Sequence, residues 1–307
     1  MQEYKSPYTV TERKIVKWCR YNARLDTYGR GCAHNCNYCY ARHLLDFRGN
    51  WKPFEPAVAD LATIHNAISD IKPGSVVKMG GMTDCFQPVE GKYHRTLETI
   101  KMLNDKKIHY LIVTKSATCC FPEYLDVYDP ELAHFQISVT ATDDYRGNKY
   151  ETASPQSERI RAIETLQRLG FDTTLRLSPY IPQFVDTDTI KNIDCEKILI
   201  EFLKVNPHVM RCFDIDYYEY TEKFGGHLNL PLDRKIELAE RFNGFKEHNV
   251  GEFVYSHYLY FRDNYNTNPF DCCNLRGITY SDYPEINQDD RNQLTIFDYL
   301  ESKEREQ

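Results

Sequence analysis

Short apolar runs alternate with longer stretches of helical periodicity through the middle of the chain. The apolar runs that stop at turn or polar residues predict β-strands at residues 75–79, 108–113, 134–139, 173–177 and 209–215, with a further one within 252–260. Apolar residues that recur every three or four positions predict helices around residues 58–71, 97–103, 160–169 and 236–245. Strands and helices therefore alternate at the spacing of parallel βα units.

This alternation predicts an α/β fold, and periodicity leaves open whether the parallel strands form an open sheet or a barrel. The rhythm is lost after about residue 261, where Asn and Asp become frequent. We therefore divide the chain into an N-terminal segment (1–20), a repeating α/β domain (21–262) and a C-terminal extension (263–307) that packs on the core.

Composition limits the class of protein and of partner. The 307 residues are 41% apolar and 27% charged, which is ordinary for a globular protein. The net charge of −7 argues against extended binding to a DNA backbone and suits a small, cationic substrate. No apolar run has the length of a membrane span, and the first 20 residues lack the apolar core of a signal peptide. We therefore expect a cytoplasmic protein with no membrane partner.

Eleven cysteines in such a compartment are expected to be thiols or metal ligands rather than disulfides. Cys32, Cys36 and Cys39 follow the spacing C-x3-C-x2-C, and Gly29 and Gly31 permit the tight turn that brings them together. Three thiolates suit a [4Fe–4S] cluster that leaves one iron open for a chelating cofactor. This segment is the strongest candidate for chemistry in the chain.

Two other kinds of metal site are compatible with three cysteines. Zinc would need a fourth ligand such as His34 or a distant thiol, but common zinc motifs carry paired C-x2-C units, and this sequence has no second pair. A purely electron-carrying cluster would use a fourth nearby thiolate, which the sequence also lacks. The adjacent cysteine pairs at 119–120 and 272–273 are poorly spaced for a second cluster, and we predict none.

The segment CNYCYAR at residues 36–42 resembles the cluster loop of the radical SAM superfamily, in particular the branch that contains spore photoproduct lyase. The resemblance continues, with its motifs in the expected order, to residue 182. It implies a partial (β/α)6 barrel of the TIM type, a [4Fe–4S] cluster on the three cysteines, and S-adenosylmethionine (SAM). It also implies reductive cleavage of SAM to a 5′-deoxyadenosyl radical that removes hydrogen from a substrate, with a reductant such as flavodoxin or ferredoxin.

The same resemblance assigns SAM contacts to the carboxyl ends of predicted strands, where a parallel barrel places its active site. The SAM-binding residues that it implies are Tyr38, Gly80, Gly81, Thr83, Asp84, Lys115, Ser138, Thr140 and Arg176. Strand alternation independently places Arg176 on the face opposite Leu175 and Leu177. A buried guanidinium there needs an anionic partner, and the SAM carboxylate would serve.

Acidic and aromatic residues near the predicted strand at 209–215 provide candidate substrate contacts, namely Asp214, Asp216, Tyr217 and Tyr218. Carboxylates can bind an ammonium group or the N–H edge of a guanine-like ring, and aromatic side chains can stack on such a ring. We therefore expect a lyase that cleaves a bond in a small, nucleobase-like molecule. Queuine lyase is one radical SAM activity of this type.

A DNA photoproduct repair lyase is the alternative function. By the same resemblance, Tyr40 would pass a hydrogen atom, and Cys85 would replace the hydrogen-donating cysteine that the lyase carries at the position of Gly81. Residues 293–297 resemble a peptide that docks on the sliding clamp, although a short amphipathic helix explains them equally well. Glycine at position 81 favours the small molecule.

A non-catalytic iron–sulfur redox sensor is a further alternative. It would carry the cluster without using SAM. The candidate SAM contacts at the ends of four predicted strands argue against a protein of this kind.

Overall fold

Seven parallel strands form the centre of the molecule, in a computed structural model that describes residues 3–4, 21, 23–47, 49 and 51–278. The strands are β1 (Ala23–Leu25), β2 (Val76–Met79), β3 (His109–Thr114), β4 (Ala133–Val139), β5 (Asp172–Tyr180), β6 (Lys197–Phe202) and β7 (Glu247–Val250). Each strand pairs in parallel with the next one along the chain, so their order in the sheet is their order in the sequence. With β1 and β7 at its two edges, the sheet is a partial barrel.

Helices connect the strands and bury their apolar faces. The helices are α1 (Tyr40–Phe47), α2 (Leu61–Ser69), α3 (Glu90–Tyr93), α4 (Arg95–Asp105), α5 (Pro122–Leu125), α6 (Asp144–Tyr150), α7 (Gln156–Arg168), α8 (Thr187–Lys191), α9 (Pro207–Cys212), α10 (Leu232–Glu240) and α11 (Tyr255–Asn264), with 3-10 turns at Ala117–Cys120 and Pro182–Phe184. Ile100 and Leu103 of α4 join Ile112 of β3 in one buried core, where each such side chain stabilises the fold by about 1.5–3 kcal/mol. Within the described ranges, no helix combines the length and the apolar character that crossing a membrane requires.

Two smaller sheets accompany the central one. Glu3–Tyr4 pairs in parallel with Ala57–Ala59, which pairs antiparallel with Tyr28–Gly29. Glu222–Phe224 and His227–Asn229 form an antiparallel pair. The first of these sheets matters for function, because Tyr28–Gly29 leads directly into the segment that carries the three cysteines.

The α/β alternation predicted from the sequence is confirmed, and strands β2 to β5 lie where periodicity predicts them. Two predicted strands are wrong. Residues 209–215 fall mostly in helix α9, because Pro207 occupies its first turn and the Asn206 side chain accepts a hydrogen bond from the Val209 amide at 2.9 Å. Residues 252–260 contain the start of α11, and the last sheet strand is the earlier β7. Periodicity predicts no strand where β6 lies.

The described part of the C-terminal extension packs on the inner face of the sheet. Lys197 Nζ donates a hydrogen bond to the Asn274 carbonyl oxygen (2.9 Å), and the Arg276 amide donates to Asp172 Oδ2 (2.8 Å). Asp172 and Lys197 begin β5 and β6, so the extension covers the amino ends of these strands and leaves their carboxyl ends free. The boundaries at 20 and 262 stay predictions, and residues 293–297 lie outside the described residues.

Candidate active site

The three cysteines lie on a loop between Gly29 and helix α1, which we call the cluster loop (residues 30–39). Left-handed backbone at Arg30 (φ 62°), Gly31 (φ 121°) and Asn35 (φ 43°) turns the chain sharply. Two tight turns follow, in which the Asn35 amide donates to the Cys32 carbonyl and the Cys39 amide donates to the Cys36 carbonyl, both at 3.1 Å. The turns bring three thiols onto one short loop.

The surroundings of the cluster thiols disfavour free thiolates and favour thiolates that are bound to a metal. Burial raises the pKa of Cys32, Cys36 and Cys39, and Asp84 and Glu151 add to the effect on Cys32 and Cys36 respectively. Thiolates would therefore be unstable on this loop unless positive charge compensated them. A metal centre supplies that charge and deprotonates the thiols that bind it.

The spacing of the thiols fits a cluster better than a single zinc ion. Thiolates on one tetrahedral zinc lie about 3.8 Å apart, as Zn–S bonds of about 2.3 Å require. A close group of three possible metal ligands occurs elsewhere in the described part of the chain. It consists of Asp271, Cys272 and Cys273, whose ligand atoms lie within 4.8 Å of one another. The three thiols of the cluster loop do not form such a close group, as a single tetrahedral zinc would require.

A buried carboxylate, Glu151, lies directly behind the cluster loop. Its carboxylate accepts hydrogen bonds from the Tyr38 hydroxyl and from Arg159, and from Thr140 Oγ1 (3.1 Å) and Gln156 Nε2 (2.7 Å). The Cys36 thiol lies 3.6 Å from the same carboxylate. Glu151 therefore fixes Tyr38 and joins the loop to strand β4 and helix α7.

Sequence reasoning missed Glu151 and Arg159. Glu151 follows the short helix α6, outside any strand end, and Arg159 lies within the periodic helix α7. The one local signal is an acidic residue 12 positions after Val139, the last residue of β4, and that signal is common on protein surfaces.

Lys115 projects from the end of β3 toward the cluster loop. Its Nζ donates to the Ser178 carbonyl oxygen (2.9 Å), lies 3.9 Å from Glu151 Oε2, and lies 5.3 Å from the centroid of the Tyr38 ring. Burial lowers the pKa of Lys115 to about 8, although Cys36 acts in the opposite direction. A lysine in this position can meet an anionic group bound next to the loop.

Asp84 and Thr83 connect the ends of strands to the cluster loop. Asp84 accepts hydrogen bonds from Thr114 Oγ1 and the Lys115 amide, both at 2.7 Å, and lies 3.2 Å from His34 Nε2. Burial alone would raise the pKa of Asp84, but His34 and these donors lower it, so the carboxylate stays charged. Thr83 Oγ1 donates to the Tyr28 carbonyl (2.6 Å). Both side chains are thus occupied in holding the loop.

Gly80 and Gly81 lie where an added side chain would collide with a neighbour. Gly80 has a φ of 81°, and a Cβ there would meet the Val113 carbonyl oxygen at 2.3 Å. A Cβ on Gly81 would lie 1.6 Å from Arg24 Nε, so the Arg24 guanidinium fills the space that a side chain at 81 would occupy. The Tyr40 hydroxyl donates to the Gly81 carbonyl (2.7 Å), which places Tyr40 at the same edge.

Arg176 is buried on the inner face, as strand alternation predicts, but its anionic partner comes from the chain itself. It forms an ion pair with Glu201 of the next strand, and its Nη1 donates to Gln136 Oε1 (2.5 Å). Ser138 pairs with Arg176 in register, and its carbonyl accepts from Arg159 Nη1 at 3.0 Å. The expectation that Arg176 needs the SAM carboxylate is therefore corrected, because Glu201 already balances its charge.

Cys85 does not reach this edge. It is 1% exposed and belongs to the apolar core that includes Phe86 and Tyr124, and burial raises the pKa of its thiol far above the usual range. A side chain enclosed by the core cannot face a substrate, so the burial of Cys85 contradicts the hydrogen-donating role considered for it.

The four candidate substrate residues near 209–215 do not converge. Asp214 and Asp216 are exposed, and Tyr218 is 85% exposed. The Tyr217 hydroxyl donates back to its own segment, to the Phe213 carbonyl. Phe213, just before them, packs edge-on against the Tyr38 ring with 5.4 Å between ring centroids, so the segment lies beside the cluster loop and the substrate role of the four residues stays a prediction.

Three thiols on one loop, at the carboxyl edge of a partial parallel barrel, define a protein that can hold a metal cluster through cysteines. The family model of the Radical SAM superfamily matches residues 27–194, more than half of the 307 residues. The chain therefore belongs to the radical SAM superfamily. Its cofactors are a [4Fe–4S] cluster and SAM, as predicted.

Two relatives in sequence carry the name uncharacterized protein. A protein of Methanocaldococcus jannaschii is 27% identical over 169 residues, which cover 52% of this chain and 61% of that protein. A protein of Mycobacterium tuberculosis (strain H37Rv) is 25% identical over 169 residues, covering 52% of this chain and 49% of that protein. The chain thus covers less than two thirds of the length of either relative.

Solved structures of spore photoproduct lyase share the fold. The lyase complexed with dinucleoside spore photoproduct has a TM-score of 0.55 and 15% identity, covering 74% of this chain and 75% of that chain. A mutant with bound AdoMet and the same photoproduct has a TM-score of 0.53 and 17% identity, covering 77% and 78%. At this identity the likeness concerns the fold alone.

Proposed function

We propose that this enzyme is a lyase that cleaves a bond in a small, nucleobase-like molecule bound in the mouth of the barrel. The observation that carries the proposal is the cluster loop itself, whose three thiols, two buried and that of Cys39 half-buried, lie beside Lys115 and the fixed Tyr38 at the carboxyl edge of the sheet. When bound, the cluster and SAM supply a 5′-deoxyadenosyl radical that removes a hydrogen atom from the substrate.

The chain's own residues hold and orient these groups. Cys32, Cys36 and Cys39 would bind the cluster. Lys115, whose Nζ lies near the loop, would meet the SAM carboxylate, since Arg176 is paired with Glu201. The remaining proposed SAM contacts line the same edge: the backbone of Gly80 and Gly81, the loop residues Thr83 and Asp84, Ser138 in β4 and Thr140 just after it, and the Tyr38 ring.

Queuine lyase remains one example of the proposed reaction, and DNA repair is the less favoured candidate. DNA repair by analogy with spore photoproduct lyase needs a hydrogen donor at position 81. In this chain position 81 is a glycine, and the Arg24 side chain fills the space beside it. Cys85 is enclosed by the core and offers no substitute. Tyr40 stays available at the mouth for either reaction. A flavodoxin or ferredoxin is the proposed electron donor.

The proposal is tested on protein reconstituted with iron and sulfide under anaerobic conditions. We expect about four irons per chain, as one [4Fe–4S] cluster requires, and formation of 5′-deoxyadenosine with dithionite and SAM. Cys36→Ala should lose most of the iron and the product, whereas the control Cys195→Ala, at a thiol remote from the loop, should keep both. A cluster that forms without any cleavage of SAM would favour a redox sensor and contradict the proposal.

A further inference from the structure

Four polar side chains face the inside of the barrel below Gly81. Arg24 pairs in register with Lys78, and Lys78 pairs with Leu111. Arg176 pairs with Leu199 and bonds to Gln136. Leu111 and Leu199 pack with Cys273 and Leu275 of the C-terminal extension, in a core separate from the one that the helices bury. We call Arg24, Lys78, Gln136 and Arg176 the inner-face donors.

Three of the inner-face donors carry buried N–H groups that have no hydrogen-bond partner among the described residues: Arg24 Nε, Gln136 Nε2 and Arg176 Nε. Gln136 is fully buried and Arg176 is 7% exposed. The carboxylate nearest to Arg24 Nε, that of Asp26, is 3.8 Å away, beyond hydrogen-bond length. Buried donors are almost always satisfied in folded proteins, so three together indicate that a ligand supplies the acceptors.

Lys78 adds a positive charge that the described residues do not pair. It is half-buried, and no carboxylate in the described part of the chain lies within ion-pair distance of its Nζ. The carboxyls around it do not restore the balance. Glu201 is paired with Arg176, and burial raises the pKa of Asp26 and of Asp271 toward the neutral acid. Lys78 thus brings a positive charge to the inside of the barrel, although the whole chain carries a net charge of −7.

We propose that the inner-face donors bind an anionic group of the substrate, a carboxylate or a phosphate. This inference rests on the proposed function, because it places the substrate in the same barrel mouth. Lys78 Nζ supplies the charge, while Gln136 Nε2 and Arg176 Nε supply oriented hydrogen bonds. The substrate class narrows to a nucleobase-like molecule that carries an acid group.

The test measures anion binding to the reconstituted protein without SAM or turnover. Phosphate and acetate are titrated separately at constant ionic strength, and the shift in melting temperature gives an apparent Kd for each. We expect at least one of them to bind, and the tighter one identifies the acid group. Lys78→Met should raise the apparent Kd about tenfold, the loss of one charge-assisted hydrogen bond. Lys78→Arg should restore most of the affinity.

The control is Lys101→Met, which removes an exposed lysine from the outer helix α4 and should leave the apparent Kd unchanged. Lys78→Met is expected to fold, because it removes a cation that has no partner in the described structure. The inference is overturned if neither anion shifts the melting temperature, or if Lys78→Met and Lys101→Met behave alike. That failure is distinct from failure of the proposed function, which is read from iron content and 5′-deoxyadenosine in the Cys36→Ala experiment.

Discussion

Removal of the Glu151 carboxylate should destabilise the protein strongly. The side chains of Glu151 and Arg159 are both 1% exposed, and their ion pair lies between the cluster loop and helix α7. Glu151→Ala leaves the Arg159 guanidinium buried and unbalanced, a change that typically costs about 3–5 kcal/mol. Arg159 keeps its hydrogen bonds to the carbonyls of Ser154 (2.7 Å) and Ser138 (3.0 Å), so we expect a loss near the lower limit, about 3 kcal/mol.

The assay is urea unfolding of cluster-free protein followed by far-UV circular dichroism, so that iron binding does not contribute to the measured free energy. Glu98→Ala serves as the control, because Glu98 forms an exposed pair with Lys101 on helix α4 and should lose less than about 1 kcal/mol. Arg159→Met added to Glu151→Ala should recover part of the stability, since it removes the unpaired charge. Equal losses for Glu151→Ala and Glu98→Ala, or no recovery in the double variant, would refute the reasoning.

Two further predictions concern the strand ends and the inner face. Gly80→Ala should lose at least about 2 kcal/mol of unfolding free energy, because φ is 81° and the new Cβ meets the Val113 carbonyl oxygen at 2.3 Å. Gly91→Ala, where nothing lies within 4 Å, should be neutral or stabilising by up to about 1 kcal/mol, and similar losses in the two variants would contradict this account. Burial opposes ionisation of Glu201, but Arg176, together with Lys78, Ser178 and Lys204, holds the pKa of Glu201 at about 2, below its ordinary 4.5. The resulting stability is complete above pH 4.5 and is lost as the pH falls toward 2. A third of the side chain is exposed, so screening reduces the contribution to about 1–2 kcal/mol. Unfolding measured from pH 7 to pH 3 should show the wild type losing its advantage over Glu201→Gln, and an advantage that stays constant over this range would count against the pairing.

The sequence by itself determined the chemistry of the cluster loop and most of the sheet. The spacing of Cys32, Cys36 and Cys39 is local, and the turns that bring the thiols together lie within the same ten residues. Strands β2 to β5 and the helices between them also follow from local periodicity, because each strand or helix buries its own apolar face. Arg176 was placed on the inner face by alternation alone.

The tertiary structure decided which polar groups meet. The hydroxyl of Tyr38 bonds to a carboxylate 113 positions away, and Arg176 pairs with Glu201, 25 positions away on the next strand. Arg24 fills the space beside Gly81 only because β1 and β2 are adjacent in the sheet. No local pattern records such partners, since a buried charge needs its counterion close in space and not close in sequence.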